Sequence, residues 1–301
     1  MYCPLPGWTA VRIGGPDASA FLQGQFTNDV ALLSPGATQW NGWCSPKGRL
    51  LATFALKRCA DDTFMLAIPS DVAPAFLKRL GMFVFRSKVS IEILEGYRLI
   101  GTTARTSAIE GAGIPFEALD LPDGRRIVVA PSESAALIEE ALGESALAAD
   151  PIAWDQLAIH AGVATITVPT QDRFVPQMLN WELIGGVSFQ KGCYPGQEIV
   201  ARMQYLGRLK ERLYRAHVAM RPVVDGVPQP GQPLYGATFG AQACGTIVNA
   251  APSTRDDGYD ILAVIQVASA QGDTLRLGVD PDATQVRIEP LPYVVPAPKA
   301  A

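Results

Sequence analysis

Along Thr9–Ile13 apolar and polar residues alternate, which is the two-residue period of a half-buried strand. Gly15-Pro16 then opens a helix whose apolar face is Ala18, Phe21 and Leu22, spaced i, i+3 and i+4. The helix runs out near Gly24. Residues 38–44, 49–58 and 62–68 read as three strands, joined by Ser45-Pro46-Lys47-Gly48 and the Asp61-Asp62 turn. Asp71 is placed to cap a helix carrying Phe76, Leu77 and Leu80, and strands follow at 88–94 and 97–103. The pattern is lost over 104–122. It returns as a strand at Arg125–Ala130 and a helix from Ser132 to Leu142.

Past a break at Gly143–Ala149, Trp154, Leu157, Ala158 and Ala161 share one side of a helix, and Pro176–Leu183 reads as a short second one. From residue 221 the texture changes. The turn-rich run Gly226–Gly236 (GVPQPGQPLYG) precedes short strands at 244–250, 259–267, 274–279 and 285–289. Four strands with Gly, Pro and Asp turns and no helix predict a small antiparallel barrel. The mixed elements of 50–148 predict a compact α+β unit.

Composition narrows the classes. The chain has 301 residues, 48% hydrophobic and 18% charged, so it can bury more than one core and is not a disordered tail. Its 25 Lys and Arg against 29 Asp and Glu give a net charge of −4. No overall basic field exists for nucleic acid or an anionic membrane, and the expectation is no direct nucleic-acid partner and no membrane partner. The start, MYCPLPGWTAV, lacks a basic region followed by an apolar one, and no apolar run approaches a membrane span; a cytoplasmic location is expected. Five cysteines without a CxxC pair argue against a disulfide framework and a zinc site. With only His160 and His217, a three-histidine metal centre is excluded, and no metal ligands are assigned.

The chemically informative run is Phe189-Gln190-Lys191-Gly192-Cys193-Tyr194-Pro195-Gly196-Gln197-Glu198. Pro195 stands where a first helical residue is expected. Ile199, Met203 and Leu206 form the apolar stripe behind it, and Glu198 and Arg202 are spaced as an i,i+4 pair. Cys193 therefore precedes a helix start, where free amides and the helix dipole favour a thiolate, with Lys191 adding positive potential. The competing reading is a small cysteine packed in a tight turn. Neither histidine offers it an obvious base.

This run closely resembles the K-G-C-Y-x-G-Q-E signature of YgfZ-type folate-binding proteins, relatives of the glycine-cleavage T-protein, a tetrahydrofolate-dependent aminomethyltransferase. The resemblance extends along most of the chain: Phe21–Val30 (FLQGQFTNDV), Cys44–Arg49 (CSPKGR), Phe174–Gln177, Gly185–Phe189 and Ile288–Tyr293 (IEPLPY) are similar to further elements of that family. It implies an α+β fold of three domains in a ring around a central cavity. A discontinuous folate-binding domain (1–49 and 149–220) would carry the signature, with an α+β domain (50–148) inserted in it and a C-terminal antiparallel β-barrel (221–301).

The resemblance also implies tetrahydrofolate, or a one-carbon derivative, as cofactor, and a role supporting iron–sulfur cluster assembly or repair in client enzymes, tRNA-modifying ones included. Transient contact with those enzymes or with assembly proteins follows. Trp8 and Trp154 map onto the folate-contacting tryptophans, and an indole suits a flat pterin. Lys191, Gly192, Tyr194, Gln197, Glu198 and Arg202 join them through the signature, with Cys193 as the candidate reactive thiol. Trp40 and Trp43 are alternatives for lining the cavity, and Trp181 is expected to pack. Residues 191–215 hold six cations against two anions; Lys191 and Arg202 are read as ligand contacts, Lys210 and Arg212 as a solvated face. Where aminomethyltransferases carry an acidic pair, this chain has Leu51 and Ala52. The expectation is a protein without transferase chemistry, the alternative being a folate-dependent one-carbon (aminomethyl) transferase or demethylase.

Overall fold

The computed structural model describes residues 1–219 and 226–296. They fall into two compact units, Met1–Cys44 with Leu51–Trp154 and Gly185–Pro195, and Ser45–Leu50 with Asp155–Ile184 and Gly196–Ala301.

In the first unit, strands β1 (Tyr2–Pro4) and β2 (Trp8–Gly14) precede helix α1 (Ala18–Gln23), and β3 (Thr38–Cys44), β4 (Leu50–Ala60) and β5 (Thr63–Pro69) lead to α2 (Ala73–Gly81). After β6 (Ser90–Ile93), the order β3-β4-β5-β2-β6 makes one sheet. Alternate residues of β2, β4 and β5 face its core: Val11 and Ile13, Phe54 and Leu56, Phe64, Leu66 and Ile68. The register places Val11 opposite Leu66 and Leu66 opposite Leu56. Phe21 and Leu22 of α1 and Phe76 and Leu80 of α2 cover that face. Each fully buried Leu, Ile or Phe contributes about 1.5–3 kcal/mol. Helix α2 starts at Ala73 with Val72 as its N-cap and no side-chain cap, rather than at an Asp71 cap. Pro74 in the first turn fixes the start instead, because proline's missing N–H is not needed there.

A second sheet of the same unit uses β7 (Tyr97–Thr102), β8 (Glu117–Asp120) and β9 (Arg126–Pro131) in the order β1-β7-β9-β8, backed by α3 (Ser107–Gly111) and α4 (Ala135–Gly143). Strand β8 and helix α3 lie in 104–122, where the sequence predicts irregular chain. Elements of four and five residues are too short to show a period. Strand pairing runs across residue 50, since β4 and β5 join β3 and β2, and β1 pairs with β7. The first unit thus joins Met1–Cys44 to Leu51–Trp154.

Helix α5 (Ile152–His160) spans the boundary in sequence between the units. In the second unit, α6 (Gln197–Tyr205) and β10 (Glu211–Val218) precede β11 (Pro233–Tyr235), β12 (Ala243–Pro252) and β13 (Tyr259–Gln266), then α7 (Val267–Gly272), β14 (Leu275–Arg276) and β15 (Gln285–Glu289). Six antiparallel strands close a barrel in the order β10-β13-β12-β11-β14-β15. Its core includes Ala216, Val218, Leu234, Ile247, Ile261, Ala263, Ile265, Leu275 and Val286. The barrel's first strand, β10, lies ahead of residue 221, and α7 breaks the helix-free expectation. Residues 221–225 and 297–301 of the expected barrel domain lie outside the described residues. No helix among the described residues is long and apolar enough to cross a membrane.

Candidate functional site

The signature turn is held by the FLQGQFTNDV segment, and the holding begins with one aromatic side chain. Phe26 is fully buried, 4.8 Å from the Phe54 ring and 6.2 Å from that of Phe76. That anchor fixes the next two residues. Thr27 Oγ1 donates to Gly186 O at 2.7 Å and accepts from Gly42 N–H at 2.8 Å, while Ser188 N–H donates to Thr27 O at 3.0 Å. Asn28 Nδ2 donates to Trp40 O and to Gly185 O, at 2.8 and 2.7 Å. These hydrogen bonds from buried and half-buried side chains to backbone leave the 185–188 segment little freedom.

Lys191 completes the arrangement. Its side chain turns inward, and Nζ donates to the carbonyls of Phe26 and Asn28, the latter at 2.9 Å. It lies 5.1 Å from the Tyr194 ring centroid. Burial pulls its pKa down to about 8, with the nearby Asp29 carboxylate opposing the drop. Tyr194 is also buried, which raises its pKa, and the Cys44 thiol adds to that rise. Gly192 and Cys193, between these two anchors, are exposed. Cys193 is the one cysteine of the five in the exposed class; Cys3, Cys44 and Cys244 are buried, and burial pushes the Cys59 thiol up to about 11.

In the second unit the remaining half of the signature meets the CSPKGR turn. Gly196, the N-cap of α6, adopts φ +79°, and a Cβ there would lie 2.4 Å from Ser45 O and 2.5 Å from Gly48 Cα. Gly48 itself has φ +70°. Only glycine tolerates both the left-handed backbone and the backbone-to-backbone approach. The helix thus begins at Gln197, with Pro195 preceding the cap rather than opening the helix. The same turn is tied to Asp172, which accepts from Ser45 Oγ at 2.6 Å. Glu198 and Arg202 are exposed on α6, and no ion pair joins them among the described residues. Gln197 is half-buried.

The tryptophans separate. Trp8 is half-buried and lines a cavity of about 330 Å³ with Tyr97, Arg98, Leu99 and Glu139. Trp154 is 1% exposed. Gly101 lies against one part of its ring, where a Cβ would come within 2.4 Å of Cε3, and the Arg125 guanidinium stands 4.6 Å from its ring centroid. Arg125 is itself buried and paired with Asp123 at 2.7 Å. The Trp8 cavity does not include Trp154. Trp40 and Trp43 are buried, Trp43 edge-on to Phe76 at 5.2 Å, and Trp181 packs as expected.

Leu51 and Ala52 are buried members of the first unit's core, 4% and 0% exposed. An acidic residue there would be a buried charge, and these two side chains can neither give nor take a proton. Arg212, expected on a solvated face, is instead tucked in. It pairs with buried Glu182 at 2.5 Å and donates to Gln177 O and Asn180 Oδ1, both at 3.1 Å. Burial raises the Glu182 pKa although Arg212 opposes it. The sequence missed this because Glu182 is thirty residues away from its partner.

It also missed the cluster around Asp260, which is 1% exposed. Asp260 lies 2.9 Å from His217 Nδ1 and 3.1 Å from His160 Nε2, and it accepts from Arg255 at 2.7 Å. Burial opposes its ionisation, but these hydrogen bonds prevail and hold its pKa below the ordinary value. The IEPLPY element is a clasp in the same unit: Glu289 pairs with Arg255 at 2.9 Å and Tyr293 donates to Gly162 O at 2.8 Å. Among the described residues, no group of three or more His, Cys, Asp or Glu side chains is placed to hold a metal ion.

Comparison with known proteins adds relatives across nearly the whole chain. The chain is 32% identical over 314 residues to the tRNA-modifying protein YgfZ of Cronobacter sakazakii, covering 96% of this chain and 92% of the relative. It is 30% identical over 311 residues to the protein of that name in Edwardsiella ictaluri, covering 96% and 91%. No family model matches. Among solved structures, the glycine cleavage system aminomethyltransferase T of Bartonella henselae superposes with a TM-score of 0.76 over 97% of this chain and 86% of that one, at 17% identity. At that identity the likeness is one of fold.

Proposed function

Because the chain belongs to the YgfZ family and has the fold of aminomethyltransferase T, we propose that it is a tetrahydrofolate-binding accessory protein that supports iron–sulfur cluster assembly or repair in client enzymes, those of tRNA modification among them. The observation that carries the reading is the construction of the signature turn. Two buried side chains, Lys191, bonded to two carbonyls, and Tyr194, flank an exposed thiol, Cys193. A cysteine that only fills space is buried. Here the surroundings are fixed and the sulfur faces outward, the disposition of a group that meets a partner.

For the folate, the flat pterin suits the cavity that Trp8 lines, and Arg98 at its wall offers a cation to the carboxylates of the glutamyl tail. A volume of about 330 Å³ takes the ring system and leaves the tail outside. Trp154 supports that region from within: Gly101 and Arg125 occupy its ring, so its part in this reading is to hold β7 in place rather than to stack on the ligand. Lys191 is likewise a positioning residue, its ammonium committed to two carbonyls. Gly192, Gln197, Glu198 and Arg202 stay proposed folate contacts on the resemblance of the signature alone.

The transferase alternative requires an acid or base beside the folate nitrogen. Leu51 and Ala52 occupy the expected place of that group, and the loss of a general acid or base typically costs about 10²–10⁴-fold in rate. Two measurements test the proposal. Tetrahydrofolate should quench tryptophan fluorescence saturably, and Trp8→Ala should weaken binding by about 1 kcal/mol; no saturable signal rules the folate part out. The Cys193→Ala protein should fold normally yet fail to restore iron–sulfur enzyme activity in a strain lacking this protein. Full restoration rules out a role for the thiol.

A further inference from the structure

The absence of an overall basic field conceals a local one. From the last turn of α2 to the start of β6 the chain reads Lys78-Arg79-Leu80-Gly81-Met82-Phe83-Val84-Phe85-Arg86-Ser87-Lys88, with four cations and no anion. All four cations are exposed, and none makes an ion pair among the described residues. Between them stand three large apolar side chains that the fold leaves in solvent: Met82 is 67% exposed, Phe83 48% and Phe85 85%.

The exposure is built in. Val84 and Val89 pack on the core of the first unit, so the chain is pinned on both sides of Phe85. Lys88 N–H donates to Asp17 Oδ2 at 2.7 Å, and Gly15 lies so close to Lys88 O that a Cβ there would come within 2.1 Å of it. Ser87 N–H closes a turn onto Val84 O at 2.7 Å. Phe85 takes φ +39°, a backbone region that a bulky residue rarely occupies. A strained position whose side chain gains no burial points to a task outside the fold.

We infer that residues 78–88 form a contact surface for single-stranded RNA, with Phe85 and Phe83 stacking on bases and Lys78, Arg79, Arg86 and Lys88 meeting phosphates. Interleaved aromatic and cationic side chains are the recurrent means of holding single strands without reading sequence. The position of Arg86 decides between RNA and a lipid surface. Its guanidinium carbon lies 5.3 Å from the Phe85 ring centroid. Sinking that ring into hydrocarbon would take the charge with it, whereas a base stacked on the ring leaves the guanidinium beside the backbone phosphates. The inference goes beyond the folate reading, and the probes contain no folate, so each can fail while the other stands.

The test is fluorescence anisotropy of a labelled short oligouridylate titrated with the full chain. Vesicles of phosphatidylserine and phosphatidylcholine, and polyglutamate as competitor, run in parallel. Saturable RNA binding is expected, its logarithmic affinity falling with the logarithm of salt by about 0.7 per phosphate contacted, hence a slope near −3 for four. Phe85→Ala should weaken binding by about fivefold or more, and Phe85→Trp should retain it. The double change Arg86→Ser with Lys88→Ser should lower the slope by about 1.4. This pair of exposed positions also covers the case in which Phe85→Ala disturbs the turn. The inference is overturned by no saturable binding, by binding that neither Phe85→Ala nor the double change weakens, by preference for the vesicles, or by equal competition from polyglutamate.

Discussion

Two stretches of this chain are rich in cations, and among the described residues the fold commits three of the six in one to internal partners and none of the four in the other. In 191–215, Lys191 donates to two buried carbonyls, Arg212 pairs with buried Glu182, and Arg215 lies 3.5 Å from Glu289. In 78–88 the cations stay in solvent around exposed aromatics. A run of Lys and Arg fixes the charge a segment brings. Whether that charge is available to a partner depends on which acceptors the rest of the chain delivers to it. Cations committed to internal acceptors set geometry; uncommitted ones set association.

The contrast can be broken most directly at Arg212. Arg212→Met should destabilise the protein by about 3–5 kcal/mol in urea unfolding, because it leaves the Glu182 carboxylate buried without its partner. Arg86→Ser should stay within about 0.5 kcal/mol of the parent. Equal, small effects from the two would erase the distinction. Lys191 gives a pH signature. Its folded pKa, about 8, lies below the ordinary lysine value of 10.5, so the cost of burying the charge is fully present below pH 8 and is relieved as the pH rises toward 10.5. The stability of the parent relative to Lys191→Met should therefore rise across that window, by roughly 3 kcal/mol. A flat difference would mean that the amine titrates as if exposed.

A smaller gain is expected at the tip. Phe85→Gly relieves the left-handed backbone without opening a cavity and should stabilise by about 0.5–1 kcal/mol in thermal unfolding. A loss of stability would show that the ring packs. Smallest of all is Cys193→Ala, with a change in stability within about 0.5 kcal/mol. In the parent, Cys193 should be the first of the five cysteines alkylated and Cys59 much slower, as mass spectrometry of partly modified protein would show. Faster labelling at Cys59 would contradict the exposure described here.

Elements with a clear period are legible in the chain alone: β2 to β5, α1, α2, α5 and the last strands of the barrel follow from alternating or helical spacing of apolar residues. The signature was legible too, since an eight-residue run identifies a family without any knowledge of contacts. The use made of each functional group emerges only from the folded arrangement. Trp8 and Trp154 look alike in sequence, but one borders a cavity and the other is enclosed by Gly101 and Arg125. Lys191 reads as a ligand contact until Phe26 and Asn28, more than a hundred and sixty residues earlier, supply the carbonyls that claim it. The short α3 and β8, and the barrel's use of β10, were hidden for a related reason: four to eight residues carry little periodic signal, and their partners are remote in the chain. Hydrophobic spacing is a local property written residue by residue, whereas burial, pairing and exposure depend on which distant segments arrive together, and that is settled only when the chain folds.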